Sequence, residues 1–231
     1  MPESEGVQKI IPHLWFDDQA EEAASFYSSL FDDARVGATT RYGKAGFETH
    51  GRPEGSVMTV EFELAGCEFI ALNGGPTFEF TPAISFFVSC ETEAEVDALW
   101  GALSEDGAAL MPLDRYDWSD KYGWVQDRYG LSWQVALGDP EDVGQKITPS
   151  LLYVGDQFGR AEEAVRALLA EAGCEPKDTA GGGSAGQGRR SPPALAVRLK
   201  YVFLSERARA EAQVLQRQPG LIEALDRKSV V

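Results

Sequence analysis

Histidine and cysteine are scarce: the 231 residues hold two of one and three of the other. Cys67, Cys90 and Cys174 are scattered and odd in number, which excludes a readable disulfide framework or CxxC metal site. No apolar run approaches the about 20 residues that a membrane-spanning helix needs. The opening Met1-Pro2-Glu3-Ser4-Glu5 lacks the basic and apolar regions of a secretory leader, so the expected location is the cytoplasm, with no membrane partner. Basic residues are also few, 21 Lys and Arg against 37 Asp and Glu, for a net charge of −16. Residues 1–145 hold 8 basic and 27 acidic side chains, net −19, whereas 146–231 hold 13 and 10, net +3. So acidic a first part argues against nucleic acid and favours neutral or cationic partners, although the same acidity also serves plain solubility.

What is present reads as globular. Hydrophobic residues at 43% and charged residues at 25% exclude collagen, coiled coil and wholesale disorder. Residues 9–16 form a short apolar strand, after which Asp17 and Asp18 stand where a helix N-cap and first turn want carboxylates. From Ala20 the spacing turns helical, with Ala23, Phe26, Tyr27 and Leu30 on one face. Strands follow near 34–42, at 57–64 and at 67–72, with a Gly/Pro-bearing loop over 44–55 that places His50 in solvent. This order is β-α-β-β-β.

The order then repeats. A strand at 83–88 leads to Thr92-Glu-Ala-Glu95, which has capping-box spacing, and a helix carrying Val96, Leu99, Trp100 and Leu103, 73 residues beyond the first footprint. Strands near 108–113, 122–127 and 131–137 complete a second β-α-β-β-β module. A longer repeat starts at Lys146: Lys146-Ile-Thr-Pro149-Ser-Leu151 matches Lys9-Ile-Ile-Pro12-His-Leu14, and Arg160-Ala-Glu-Glu-Ala164 matches Gln19-Ala-Glu-Glu-Ala23. The expected organisation is one domain over 8–140, the start of a second copy over 146–166, and a tail over 167–231. In that tail Gly181-Gly-Gly183-Ser-Ala-Gly186 matches GxGxxG literally. It follows Pro176-Lys-Asp rather than a strand, so it reads as linker and not as a dinucleotide turn. The change after Arg166 reads either as a genuine flexible tail or as a shifted reading frame, because Asp226-Arg-Lys-Ser-Val-Val231 is also what one frame of a sequencing adapter encodes.

Ile-Pro-His-Leu-Trp-Phe, then Ala-Glu-Glu-Ala-x-x-Phe-Tyr, then Ala71-Leu-Asn-Gly-Gly-Pro76, then Tyr122-Gly-Trp-Val-Gln-Asp-Arg-Tyr-Gly-Leu-Ser-Trp-Gln134 together resemble the PhnB-like branch of the vicinal oxygen chelate (glyoxalase/bleomycin-resistance) superfamily. Proteins of that branch often carry the name 3-demethylubiquinone-9 3-methyltransferase. The resemblance implies an α+β fold of paired β-α-β-β-β modules whose sheets curl around a cavity, and a homodimer. It also implies a divalent metal at four strand positions. Carried over, those fall near Ile11 or Pro12, Ile70 or Ala71, Ala83, and Gln134, and of these only Gln134 can coordinate anything. The expectation is therefore no metal and no cofactor, with a small organic molecule, possibly a cation, as ligand. The alternative is a metal-dependent lyase, dioxygenase or transferase-type enzyme of the superfamily.

Six residues are candidates for ligand binding. His13 shares a strand face with Ile11 and Trp15 and is either a hydrogen-bonding group or base at the ligand, or a structural histidine. Trp15, Ser85 and Phe87 carry the same expected facing, with core packing as the alternative for the aromatics. Asn73 stands beside Gly74-Gly75, which allows close backbone approach to a ligand or simply a turn. Gln134 closes the last strand of the second module. Cys90 is expected to be inert, and Glu21, Glu22, Glu93 and Glu95 a solvated helix face. No catalytic residue is assigned.

Overall fold

A computed structural model describes residues 8, 10–140, 144–154, 157–171 and 200–201. The 181–186 glycine run and almost all of the tail therefore lie outside the described residues. The first module consists of β1 (His13–Phe16), α1 (Ala20–Ser28), β2 (Ala34–Arg41), the short α2 (Phe47–His50), β3 (Val57–Leu64) and β4 (Cys67–Asn73). The second consists of β5 (Ile84–Cys90), α3 (Glu93–Ser104), β6 (Ala108–Tyr116), β7 (Ser119–Gln126) and β8 (Ser132–Leu137). β9 (Ile147–Leu151), α4 (Ala161–Glu171) and the two-residue β10 (Lys200–Tyr201) follow.

Each module builds a mixed four-stranded sheet. One has the order β1-β4-β3-β2, with β1 parallel to β4 and the rest antiparallel. The other repeats this as β5-β8-β7-β6 and continues past β5 into β9 and β10. Alternation decides which face is covered: Val60, Phe62 and Leu64 on β3 are buried on the side of α1, as Val125 on β7 is on the side of α3. α1 buries Ala20, Ala23, Ala24 and Tyr27, and α3 buries Val96, Leu99 and Leu103, close to the footprints read from the sequence. The helix-covered backs of the two sheets share one core. Phe69 meets Phe86 at 5.1 Å and Tyr27 meets Trp133 at 5.3 Å between ring centres.

Three local expectations change. Gln19, not an aspartate, is the N-cap of α1, and its side chain makes no capping bond. The amide of Ala20 is instead satisfied by Asn73 Oδ1 at 2.8 Å, while Asp17 is drawn away to the Arg52 guanidinium, also at 2.8 Å. Thr92 caps α3 as expected, its hydroxyl accepting from the Glu95 amide at 3.2 Å, but Glu95 reaches back to the amide of Glu91, at 2.9 Å. The 44–55 loop contains α2, bracketed by Gly46 and Gly51 at φ +82° and +66°, a left-handed conformation that glycine adopts without steric cost. His50 is half-buried there against Tyr42, 4.5 Å away, and accepts from the Arg52 amide.

Candidate functional site

The faces of the two sheets away from the helices differ in chemistry; five of the six candidates divide between them, and Asn73 lies on the α1 side of its sheet. His13, Trp15 and Asn73 belong to the first sheet; Ser85, Phe87 and Gln134 belong to the second.

On the first sheet, His13 stands opposite Ile70 at an exposed edge. Trp15 lies over Gly74 so closely that a β-carbon there would come within 2.3 Å of its indole; the group that approaches this glycine is the protein's own tryptophan. Its Nε1 donates to the Gly75 carbonyl at 2.8 Å, and Phe78 packs edge-on at 5.0 Å. Asn73 is buried, and its amide serves the fold, accepting from Ala20 and donating to the Val57 carbonyl at 3.2 Å. A hollow of about 340 Å³ in this face is lined by Ile11, Gly37, Glu61 and Ile70 among others. A groove of about 560 Å³ runs from Trp15 and Asp17 to the β7–β8 turn at Asp127–Gly130.

The second sheet gathers the other three. β5 and β8 are parallel and in register, so Ser85 and Phe87 lie beside Ser132 and Gln134. Gln134 is buried, and both ends of its amide are held: Oε1 accepts from the Tyr122 hydroxyl at 2.7 Å, and Nε2 donates to Ser85 Oγ at 2.8 Å. Around this relay stands an aromatic cluster. Phe87 is 6.4 Å from Tyr122, Tyr116 stacks on Trp118 at 4.9 Å, and Tyr122 meets Tyr116 edge-on at 5.7 Å. Met111, Trp124, Leu152 and Val154 pack with them. Among the described residues, the buried indole N–H groups of Trp118 and Trp124 lack a hydrogen-bond partner. Such an orphaned donor costs about 1–3 kcal/mol unless an acceptor reaches it. Asp114 stands opposite Tyr122 on β6, and burial together with that carboxylate pushes the Tyr116 phenol above its usual range. Tyr116, Trp118, Tyr122 and Trp124 were not among the sequence candidates. The signal for two of them was present, since Tyr122 and Trp124 alternate with Gly123 and Val125 inside the Tyr122–Gln134 stretch.

The wall facing β5 is β9. Ser150 stands opposite Ser85 and Thr148 opposite Phe87. Lys146 pairs with Glu95 of α3 at the start of β9, and the Gln145 amide donates to Thr148 Oγ1 at 3.3 Å.

The donor set does not suit a divalent metal. Among the described residues no group of three or more His, Cys, Asp or Glu converges. Gln134, the one coordinating side chain at the carried-over positions, has its amide committed to Tyr122 and Ser85. Burial pushes the thiols of Cys67 and Cys90 up to about 11 and about 12, so both are protonated near neutral pH and neither is a ready ligand or nucleophile. No helix of the described residues is long and apolar enough to cross a membrane.

Residues 8–136 match the family model of 3-demethylubiquinone-9 3-methyltransferase. Among solved structures, the chain is similar to a PhnB protein from Bacillus cereus, with 44% identity and a TM-score of 0.52 over 57% of this chain and 100% of that one. It is also similar to protein PA1353 from Pseudomonas aeruginosa (23% identity, TM-score 0.47, 57% and 98% covered) and to the fosfomycin resistance protein FosX from Mesorhizobium loti (13%, 0.40, 60% and 96%). No curated protein matches the chain. The family match spans more than half of the chain, and a neighbour is 44% identical along its whole length. The chain therefore belongs to the 3-demethylubiquinone-9 3-methyltransferase family, the PhnB-like branch of the vicinal oxygen chelate superfamily.

Proposed function

We propose that this protein binds a small organic cation, without a metal, on the face of the second sheet away from α3, across β5, β8, β7 and β6. The observation that carries the reading is the buried Tyr122–Gln134–Ser85 relay set among aromatic rings whose indole N–H groups at Trp118 and Trp124 have no partner among the described residues. The relay fixes a polar contact point. The rings of Tyr116, Trp118 and Tyr122 offer π faces to a cation, worth about 0.5–2 kcal/mol each when desolvated. Asp114 adds a carboxylate on the same face, and the orphaned indoles supply donors for an acceptor on the ligand. The family's methyltransferase name supplies no mechanism here, because the glycine run that could suggest a cofactor loop follows Pro176-Lys-Asp in the sequence and not an apolar, strand-like run.

The test is titration of the purified chain with drug-sized aromatic cations and their neutral isosteres, read by tryptophan fluorescence. Gln134→Leu breaks both ends of the relay and is expected to weaken binding about tenfold, the worth of one buried polar contact. Saturable binding lost in Gln134→Leu supports the reading. Failure of every cation to bind, or stoichiometric metal whose removal abolishes binding, overturns it and favours a metal-dependent enzyme instead.

A further inference from the structure

Three connections of the chain meet at one end of the molecule. They are the β4–β5 connection with Phe78 and Phe80, the α3–β6 turn at Asp106–Ala108 and the β7–β8 turn at Asp127–Gly130. Between them and the end of β1 lies the groove of about 560 Å³. It touches the second sheet only at Ala108 and Gln126, the terminal pair of the β6–β7 ladder. Gln126 stands four residues beyond Tyr122, about 13 Å along the strand, so the groove is separate from the aromatic cluster.

Both walls are set before anything binds. Phe16 holds Phe80 and Tyr129 edge-on at 5.2 and 6.1 Å, and Trp15, fixed over Gly74, holds Phe78 at 5.0 Å. Across the groove the α3–β6 turn is pressed onto the end of β7: a β-carbon on Gly107 would come within 2.5 Å of the Gln126 carbonyl oxygen. The Asp127 carboxylate pins the β7–β8 turn through the amides of Tyr129 and Leu131. Such a preformed surface spares a partner much of the ordering cost of binding.

Three features of these walls point outward. Phe78 is 50% exposed at the end of its aromatic row. The amides of Phe78 and Phe80 make no backbone bond among the described residues, so they are open to a chain laid alongside. The lining is also acidic, with Asp17, Glu79 and Asp106 against Arg128, whose guanidinium is engaged by Glu105 at 2.7 Å and by the Phe26 ring at 4.7 Å.

We propose that this groove docks a basic peptide segment of a partner protein, laid along Phe78–Phe80. The peptide backbone takes the open amides, and an apolar side chain packs against the exposed Phe78 ring. Lysine or arginine side chains flanking that anchor meet the carboxylates of the rim, Asp106 among them. Charge selects the partner, because the same carboxylates repel an acidic segment. With Phe78 half exposed the groove is open to water, which suits a chain that gains main-chain bonds better than a small ligand that needs enclosure.

The experiment is titration of the full chain into short labelled peptides, read by fluorescence anisotropy. One peptide has leucines at its centre and arginines at both ends. In a second, glutamates replace the arginines, and in a third, glycines replace the leucines. The first is expected to saturate, and the other two to bind at least about tenfold more weakly. Phe78→Ala removes an exposed ring outside the core and is expected to weaken the first peptide about tenfold. Asp106→Asn, which keeps a residue suited to the φ of +58° there, is expected to weaken it about threefold. Val36→Ala, exposed on β2, is expected to leave binding unchanged. Failure of the first peptide to saturate overturns the proposal, as does binding indifferent to Phe78→Ala. So does equal affinity for N-acetylarginine amide, which assigns the groove to small cations. Binding that weakens as the protein is concentrated also overturns it, by assigning the groove to a second copy of the chain.

Discussion

Through its carboxylate Asp127 accepts more hydrogen bonds than any of the six ligand-binding side chains makes. It lies buried at the β7–β8 turn, where its carboxylate accepts from the Tyr27 hydroxyl and Trp133 Nε1, both at 2.8 Å, and from the amides of Tyr129 and Leu131 at 2.9 and 3.0 Å. Burial pushes the carboxyl above its usual range, while these donors pull it the other way; burial and the nearby carboxylate hold the Tyr27 phenol well above its own. One side chain thus ties α1 to a turn 100 residues later in the chain. Asp127→Ala would strand several buried donors at once and is expected to cost about 3–5 kcal/mol. Urea denaturation should show a lower midpoint at unchanged slope. A loss under about 1 kcal/mol would mean that water replaces the carboxylate. The same scale explains Asn73. A short polar side chain before two glycines reads first as a turn and otherwise as a ligand contact, and only the position of the Ala20 amide shows that it completes α1.

Among the elements, β7 illustrates how a helix and a strand share space. Gly123 faces α3, and a β-carbon there would sit 2.4 Å from the Trp100 ring. The glycine is needed because the indole occupies the volume a side chain would take. Gly123→Ala is expected to destabilise the fold by about 1–3 kcal/mol, seen as a lowered melting temperature, and Trp100→Leu in the same background should recover part of it. Element order was legible from the sequence because it rests on local periodicity: β2, β3, β4 and α1 lie within a residue or two of their predicted bounds. The ends of β6 and β7 were not, because the ladder carries the strands on to Tyr116 and Ser119 through an exposed, polar stretch with register shifts that interrupt alternation.

For the whole molecule, charge and strand pairing matter most. The net −19 of residues 1–145 attracts cations to the domain in general, and Asp114 puts one carboxylate opposite Tyr122 on the aromatic face. If a cation is the ligand, raising salt to about 1 M, where the Debye length is about 3 Å, should weaken its binding several-fold and leave a neutral isostere unchanged. Equal response of both would assign the affinity to ring packing alone. The candidate site was half legible: alternation on β5 and the ending of β8 picked Ser85, Phe87 and Gln134, which do converge. His13 and Trp15, chosen by alternation on β1, and Asn73, chosen for its two glycine neighbours, lie on the other sheet.

By itself the sequence determined the repeated β-α-β-β-β order, the helix faces and the family. These follow from periodicity, composition and side-chain chemistry, which act over a few residues. Only the tertiary structure decided which first strand meets which. The outward edges of β1, β5 and β9 present the same amides and carbonyls, and backbone groups carry no address. What separated them was packing at long range. Phe69 against Phe86 and Tyr27 against Trp133 set the first two sheets back to back, with the β5 edge taken by β9 and the β1 edge without a neighbour among the described strands.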